Sequence, residues 1–382
     1  MNRIKKMKPL LHRTFISVVA FVIVAVYAAV ALNLSLFNPI SKAFGDYSIN
    51  DFYYQVLETT AQPDTSHLVT IVDMTEVTSR RDFADILKEI DRQNPKSVGV
   101  DIVFEGLKED SLSDEVLAMT AVGLRNMVFS YKLIDDSYSN GSYHESVRSY
   151  FASEGHIDEG FTNMPRNIYG GMKRSLSLAR SLDGKLQPSL IKRVTDIYAD
   201  KEISPLSEKD VAINFSPMAF YVVPFDSISQ NRHLLEDRIV LLGAMHEEAD
   251  MHYTPVGKIA GVKLLAYGVE TLVKGNELQE IPLWLTALFS LLVVVLSKCV
   301  FDGYDAFAAS RGVFLSVLLN LSLVKGLFRF FWMALIIWIA FILFCRYNWS
   351  INTLYALSAI AFLGQADNIY QSFLKYLKSK NK

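Results

Sequence analysis

Three aspartates follow predicted β-strands and could contribute to one binding site. Asp73 and Asp101 each end a short apolar segment, VTIVD and SVGVD, and Asp250 follows a third segment, RIVLLG, by a few residues. Ligands of open α/β sheets bind outside the carboxyl ends of the strands. Neighbouring strands lie about 4.8 Å apart, so the first two carboxylates meet if their strands are adjacent.

The chemistry of such a group is that of an acidic pocket. Carboxylate oxygens could bind a divalent cation or an amine-bearing ligand. The alternative is that each Asp caps a helix or turn and accepts hydrogen bonds from loop amides. Thr254, which precedes Pro255 in a predicted rigid turn, completes the candidate ligand-binding residues.

Two histidines flank an acidic loop and are weak candidates for metal ligands. His246 and His252 enclose the sequence EEADM, and imidazole with carboxylate can hold zinc. Their separation of six positions differs from that of the H-E-x-x-H motif, whose histidines share one helix face. The favoured interpretation is a solvated loop, and no metal is predicted.

Catalytic motifs are absent from the sequence. It contains no G-x-S-x-G elbow, no P-loop and no kinase signature. We therefore predict no catalytic residue, no cofactor and no enzymatic activity, and an extracytoplasmic hydrolase is the weakest of the functions considered.

The elements that position these residues follow from periodicity. Phe83, Ile86, Leu87 and Ile90 repeat at helical spacing in the segment 82–93, between the first two apolar strands. This predicts a parallel βαβ unit. Further strands and helices alternate along the chain, with strands at 126–133, 174–179, 211–215 and 238–243 and helices at 112–124, 188–200 and 262–274. The segment 38–280 is thus predicted to be an α/β domain with a mixed, largely parallel sheet and flanking helices.

The rest of the chain is apolar enough to predict a membrane region. The chain has 382 residues, of which 51% are hydrophobic, and charge-poor runs lie on both sides of the segment 38–280. Spans need about 20 apolar residues. A basic N-terminus precedes an uncleaved first span, three spans lie within 281–365, and a basic tail follows. The predicted segments are 1–14 (N-terminus), 15–37, 282–300, 330–344 and 349–364 (spans) and 366–382 (tail).

The positive-inside rule decides between four spans and five. With four spans, the lysine-rich tail and nearly every other basic residue of the flanks lie in the cytoplasm. The short apolar segment 313–324 is then interfacial or half-inserted. The flanks carry 14 basic and three acidic residues, whereas 38–280 carries 24 basic and 37 acidic ones. We therefore expect a bacterial inner-membrane protein with an acidic extracytoplasmic domain and cytoplasmic termini, and no nucleic-acid binding.

The order of motifs resembles the second type of CHASE domain, an extracytoplasmic sensory module of bacterial cyclases and kinases. The resemblance covers roughly residues 15–365, including one span before the domain and three after it. One departure is Leu265, where the family often has histidine. The matching motifs are VTIVD, PKSVGVDIVF, GF-x-N from Gly160 to Asn163, GGMKRSL, INFSP, RIVLLGAM and TPVGKIAGVKLLAYGVETLVKGN.

This resemblance implies a receptor function. The domain would bind a small molecule or an envelope partner and signal through its helices to a cytoplasmic effector. The sequence continues only about 18 residues past the last predicted span, so we expect a separately encoded effector. The alternative function is a structural or scaffolding protein of the cell envelope. The lipid bilayer is the remaining expected partner, and a homodimer is expected by analogy alone.

Overall fold

The computed structural model describes residues 9–33, 48–108, 110–134, 143–153, 156–165 and 171–380. The basic segment 1–8, the end of the predicted first span at 34–37, Gly170 of the GGMKRSL motif and the last two residues lie outside this part. The chain forms two compact units. The α/β unit is Tyr54–Leu278, and the helical unit combines Met1–Tyr53 with Gln279–Lys382.

The helices and strands alternate through the α/β unit, as the sequence predicts. The strands are β1 (Asp64–Asp73), β2 (Ser97–Val100), β3 (Met127–Ile134), β4 (Glu145–Val147), β5 (Asp158–Phe161), β6 (Ser175–Ser177), β7 (Ala179–Leu182), β8 (Lys185–Pro188), β9 (Asp210–Ala212), β10 (Met218–Pro224), β11 (Ile239–Gly243), β12 (Met251–Thr254), β13 (Gly257–Ala260), β14 (Gln279–Glu280) and β15 (Trp349–Ser350). The helices are α1 (Pro9–Asn33), α2 (Ile49–Thr60), α3 (Arg80–Arg92), α4 (Ser111–Gly123), α5 (Leu190–Ala199), α6 (Gly261–Lys274), α7 (Leu283–Ala309), α8 (Val313–Asn320), α9 (Ser322–Tyr347), α10 (Leu354–Ala361) and α11 (Leu363–Lys380).

The central sheet of the α/β unit is mixed and largely parallel. Its strands follow the order β10-β1-β11-β2-β3, and all of these pairs are parallel. β3 also pairs with β5 in parallel and with β4 in antiparallel orientation. The predicted α/β fold class is therefore confirmed for this unit. The predicted strand 174–179 is instead divided between β6 and β7, and β9 pairs with β6 outside the central sheet.

The predicted βαβ unit has the local features that its sequence favours. β1 contains four consecutive buried residues before Asp73, as expected of a strand covered on both faces. The side chain of Ser79 accepts a hydrogen bond from the Asp82 N–H and caps α3. Phe83, Ile86, Leu87 and Ile90 are buried on one face of that helix.

Helices cover both faces of the sheet. α3 and α4 contribute to one apolar core together with alternate residues of β2, β3 and β11. α5 packs on β2, β3 and β5, and α6 packs on β1 and β11. The start of α5 lies so close to β5 that a Cβ on Gly160 would be 2.5 Å from the backbone nitrogen of Leu190. Glycine is therefore required at position 160, since a methyl group would overlap backbone atoms.

The helical unit contains three helices that are long and apolar enough to cross a membrane. These are Pro9–Ala29 within α1, Leu283–Ala309 and Ser322–Tyr347. The short α8 lies within the apolar segment that was expected at the interface. The predicted fourth span, 349–364, folds as β15, α10 and the first residues of α11. α10 has only eight residues, and the helical path is interrupted at Phe362 before α11 begins.

The segment formed by α10 and α11 runs beside α1 in the opposite direction. The ring of Phe362 stacks on Tyr27, near the end of α1, with centroids 5.2 Å apart. Eight residues later, the Tyr370 hydroxyl makes a hydrogen bond with His12, near the start of α1. The segment therefore returns from one end of α1 to the other within the helical unit.

An ion-pair cluster lies near the same end of the helical unit. Arg13 of α1 donates from Nε to Asp302 of α7 at 2.9 Å. Lys298 contacts Asp302 at 2.7 Å and Asp367 of α11 at 2.8 Å. These four side chains connect α1, α7 and α11.

Candidate functional site

A cavity of about 900 Å³ opens at the carboxyl edge of the central sheet. Its walls come from the segments that follow β1, β2, β5 and β11, together with the first residue of α6. This is the edge at which open α/β sheets bind ligands. The lining residues are Met74, Thr75, Val77, Thr78, Arg80, Phe83, Asp101–Glu105, Lys108, Ser130, Lys132, Thr162–Met164, Ala244, Glu247, Ala249, Asp250, His252 and Gly261.

Asp101 lies in the lining directly after β2. Its backbone N–H donates to the carbonyl of Leu242 at 2.8 Å, which continues the sheet by one residue. Among the described residues, no donor makes a hydrogen bond to its carboxyl group. Burial, together with the charge of Asp250, raises the pKa of this carboxyl to about 7 against the opposing effects of Lys132 and His252. Asp101 is thus an acid that no described residue hydrogen-bonds, and it is close to half ionised at neutral pH.

Asp250 reaches the cavity from the turn before β12. Its carboxylate lies against Gly261, where a Cβ would be 2.5 Å from Oδ2, so a larger residue at the start of α6 would displace this carboxylate. The N-terminus of α6 has no side-chain cap and carries the positive end of the helix dipole. The Nε2 atom of His252 is 3.5 Å from Asp250 Oδ1. These contacts place the Asp250 carboxylate at the start of α6 beside the cavity.

Asp73 does not line the cavity. β1 and β2 are not neighbours because β11 lies between them, which places the two strand ends about 10 Å apart. The Asp73 carboxylate accepts hydrogen bonds from the backbone N–H groups of Thr75 at 2.9 Å and Met245 at 3.2 Å. Asp73 therefore connects the turns after β1 and β11. This is the capping role that the sequence allowed as the alternative to ligand binding.

The remaining predicted residues are distributed around the same edge. Thr254 is buried and donates from Oγ1 to the carbonyl of Gly257 at 2.8 Å, closing the turn between β12 and β13. His246 is exposed, with Nε2 3.8 Å from Asp73, and only His252 reaches the cavity. Within the described ranges, no three His, Cys, Asp or Glu residues are grouped so as to hold a metal ion.

Two cavity residues on β3 were missed by sequence reasoning. Val100 of β2 pairs with Phe129 of β3, so Ser130 follows beside Asp101. Ser130 is 1% exposed, and its hydroxyl has no hydrogen-bond partner in the described part of the chain. Lys132 points to the same face two residues later, is exposed, and makes no ion pair with any described residue. The sequence did contain a signal for these two cavity residues, since they are polar residues at alternate positions of an otherwise apolar strand.

The wall opposite these residues is held by a buried arginine. Arg80 forms an ion pair with Asp114, and both side chains are less than 5% exposed. Its Nη2 also donates to the carbonyls of Glu105 at 2.9 Å and Gly106 at 2.8 Å. Through these three hydrogen bonds Arg80 holds the loop after β2 beside α3 and α4 and so shapes this wall of the cavity.

Comparison with known proteins identifies the family of most of the chain. A family model described as the CHASE2 domain matches residues 19–299, which is more than half of the chain. No curated protein and no solved structure matches it.

Proposed function

The chain belongs to the CHASE2 domain family, and we propose from this premise that it is a non-enzymatic membrane receptor. CHASE2 is an extracytoplasmic sensory domain, which supports a sensory role in general. The cavity at the carboxyl edge of the sheet carries the specific proposal, because Asp101 and Ser130 line it and neither side chain has a hydrogen-bond partner among the described residues. Buried polar groups are normally hydrogen-bonded, and a bound ligand would satisfy these two.

The ligand of this receptor is a small polar molecule. A volume of about 900 Å³ lies within the range of small-molecule sites. Ligand binding would stabilise one of two states of the α/β unit, which requires different affinities for the two states. An envelope protein that inserts a polar side chain is the alternative occupant.

The proposed membrane arrangement has four crossings. The three long apolar helices provide three of them. α10 with the start of α11 provides the fourth, and the contacts of Phe362 with Tyr27 and of Tyr370 with His12 support it. Both termini then lie in the cytoplasm of a bacterial cell, residues 38–280 are extracytoplasmic, and α8 lies at the interface.

The ion-pair cluster supports a route for the signal. Lys298 connects α7 with α11, and Asp302 connects α7 with α1, so a shift of one helix changes the contacts of the others. In this proposal the helices pass the change to a separately encoded cytoplasmic effector. Reporter fusions test the arrangement: a fusion at residue 150 should be exported and one at the last residue cytosolic.

Ligand binding is tested on the full-length protein in detergent micelles. Metabolites, cations and cell-wall fragments are screened as ligands, and the readout is the hydrogen-exchange rate of peptides from β2 and β11. A ligand that binds only the folded state makes unfolding rarer as the ratio of its concentration to Kd rises, so these peptides exchange more slowly. At least one compound should protect the wild type and fail to protect Asp101→Asn. A panel that protects neither protein, or both equally, argues against the cavity as a receptor site.

Exposed apolar residues favour scaffolding as the second candidate function. Leu107, Leu112 and Met119 lie on or just before α4 and are 77%, 62% and 69% exposed. Exposed apolar surface of this kind marks protein contacts. Cross-linking in cells separates the two functions: a partner that is captured by the wild type, lost in Met119→Lys and unaffected by Asp101→Asn supports assembly through α4.

A further inference from the structure

Two polar groups in the cavity lie side by side without a hydrogen-bond partner in the described part of the chain. Asp101 follows β2 and Ser130 lies on β3 in the adjacent register position, so neighbouring strands bring them within about 5 Å of backbone separation. Neither side chain makes a hydrogen bond with a described residue. Ser130 lines the cavity, and its buried hydroxyl oxygen has no hydrogen-bond partner among the described residues.

Asp250 supplies a third acceptor to the same corner. Its charge is close enough to affect Asp101, and its carboxylate lies against the start of α6 and 3.5 Å from His252 Nε2. The corner therefore offers two carboxylates and one hydroxyl oxygen. A primary ammonium group has three N–H donors and no acceptor.

We propose that Asp101, Asp250 and Ser130 form a subsite for the primary ammonium group of a small ligand. This inference deepens the receptor function proposed above and rests on it. The carboxylates supply charge-assisted hydrogen bonds, which are about twice as strong as neutral ones. Lys132 and Lys108, which line the cavity without an ion pair to a described residue, are available to an acidic group elsewhere on the ligand.

The chemistry of the corner disfavours the other small ligands. Within the described ranges, Asp101, Asp250 and the neighbouring His252 are not grouped so as to hold a metal ion. An anion at this position would face two carboxylates. A neutral hydroxyl group would leave the charge of Asp101 uncompensated in a desolvated position.

Ammonium binding should depend on pH. The Asp101 carboxyl, with a pKa of about 7, must be ionised to bind a cation. The charged groups that act on it are Asp250 from the turn before β12, Lys132 from β3 and His252 from β12. Between about pH 8 and pH 6 the ionised fraction falls about tenfold, so the affinity should fall about tenfold as well.

The test uses the full-length protein in detergent micelles with four small probes. These are n-butylamine, 4-aminobutyrate, butyrate and tetramethylammonium, which carries positive charge without an N–H group. The two primary amines should protect β2 and β11 peptides from hydrogen exchange, and butyrate and tetramethylammonium should not. Protection should disappear in Asp101→Asn and Asp250→Asn and weaken in Ser130→Ala. It should persist in Glu105→Gln, which removes an exposed carboxylate from the same lining.

Several results would overturn the ammonium subsite. They are equal protection of Asp101→Asn by the amines, equal protection by tetramethylammonium, affinity that does not fall with acidification, and no effect of either amine. If a non-amine compound from the wider screen protects through Asp101 instead, the receptor function stands and only the ammonium subsite is wrong. If no compound of either set protects, both proposals fail.

Discussion

Replacing Asp101 by asparagine should stabilise the α/β unit at neutral and alkaline pH. The substitution keeps the shape of the side chain and removes the charge that the cavity corner desolvates. Asp101 accepts no hydrogen bond from a described residue, so the amide loses no partner there. The stability gain should therefore come from electrostatics alone.

The size and sign of the effect follow from the pKa. Folding raises the pKa of Asp101 from its ordinary value near 3.8 to about 7. Because the folded-state pKa is the higher one, the favourable contribution of the acid is complete below about pH 4 and is lost as the pH rises to about 7. Three pKa units correspond to about 4 kcal/mol. Asp101 keeps some solvent contact, which screens its charge, so we expect about 2 kcal/mol.

Hydrogen exchange of individual peptides measures the stability of the α/β unit separately from that of the helical unit. All four tryptophans belong to the helical unit, so their fluorescence does not report on the α/β unit. Amides of core strands exchange through large openings whose free energy follows the stability. Peptides from β2 and β11 should exchange about 30-fold more slowly in Asp101→Asn than in the wild type at about pH 8. Near pH 4 the two proteins should exchange at similar rates.

The comparison has a matched control. Glu105→Gln removes an exposed carboxylate from the same cavity and should leave the exchange rates of β2 and β11 unchanged at both pH values. The reasoning is refuted if Asp101→Asn is no more protected than the wild type at about pH 8. It is also refuted if the gain is equal at both pH values, because packing and not ionisation would then be responsible.

Three further substitutions test the packing and the ion pairs. Gly160→Ala should destabilise the α/β unit by about 1–3 kcal/mol, since its Cβ would overlap the backbone of Leu190, and peptides from β5 should exchange faster. Asp114→Asn should cost about 3 kcal/mol because it leaves a buried guanidinium unpaired, and peptides from α3 and α4 should lose protection. Asp367→Asn should lower the stability of the helical unit by about 1–2 kcal/mol by removing one partner of Lys298, measured as a lower melting temperature by tryptophan fluorescence.

Each of these substitutions has a control at a site of similar type. Gly123→Ala adds a methyl group where nothing lies within 4 Å. Asp85→Asn and Asp305→Asn alter exposed ion pairs, which contribute little. If a control lowers stability as much as its test variant, the contact named for that variant is not the cause.

Local patterns predicted the elements of the α/β unit well. The helical spacing from Phe83 to Ile90 and the polar residue Ser79 before it are sufficient to specify α3, since both act within one or two turns. The continuous apolar run of β1 likewise indicates a strand covered on both faces. β10 and the hairpin of β12 and β13 were missed, because β10 is apolar without alternation and the two hairpin strands are only four residues long.

The candidate site was predicted only in part, because strand order depends on distant segments. β11 is separated from β2 by more than 130 residues of chain and yet lies between β1 and β2. This insertion moves Asp73 away from Asp101 and gives it a capping role. Asp250 and Asp101 do meet at the cavity, as the shared carboxyl edge of the parallel strands led us to expect.

The sequence by itself determined which parts of the chain are apolar, which are acidic and where the helices and strands form, because these properties depend on composition and short-range periodicity. It also contained enough ordered motifs to indicate the CHASE2 family. Only the tertiary structure decided that Ser130 and Asp101 share a corner in which no described residue hydrogen-bonds their side chains, and that α11 returns beside α1. Those relations come from contacts between residues far apart in the chain, and local spacing carries no information about them.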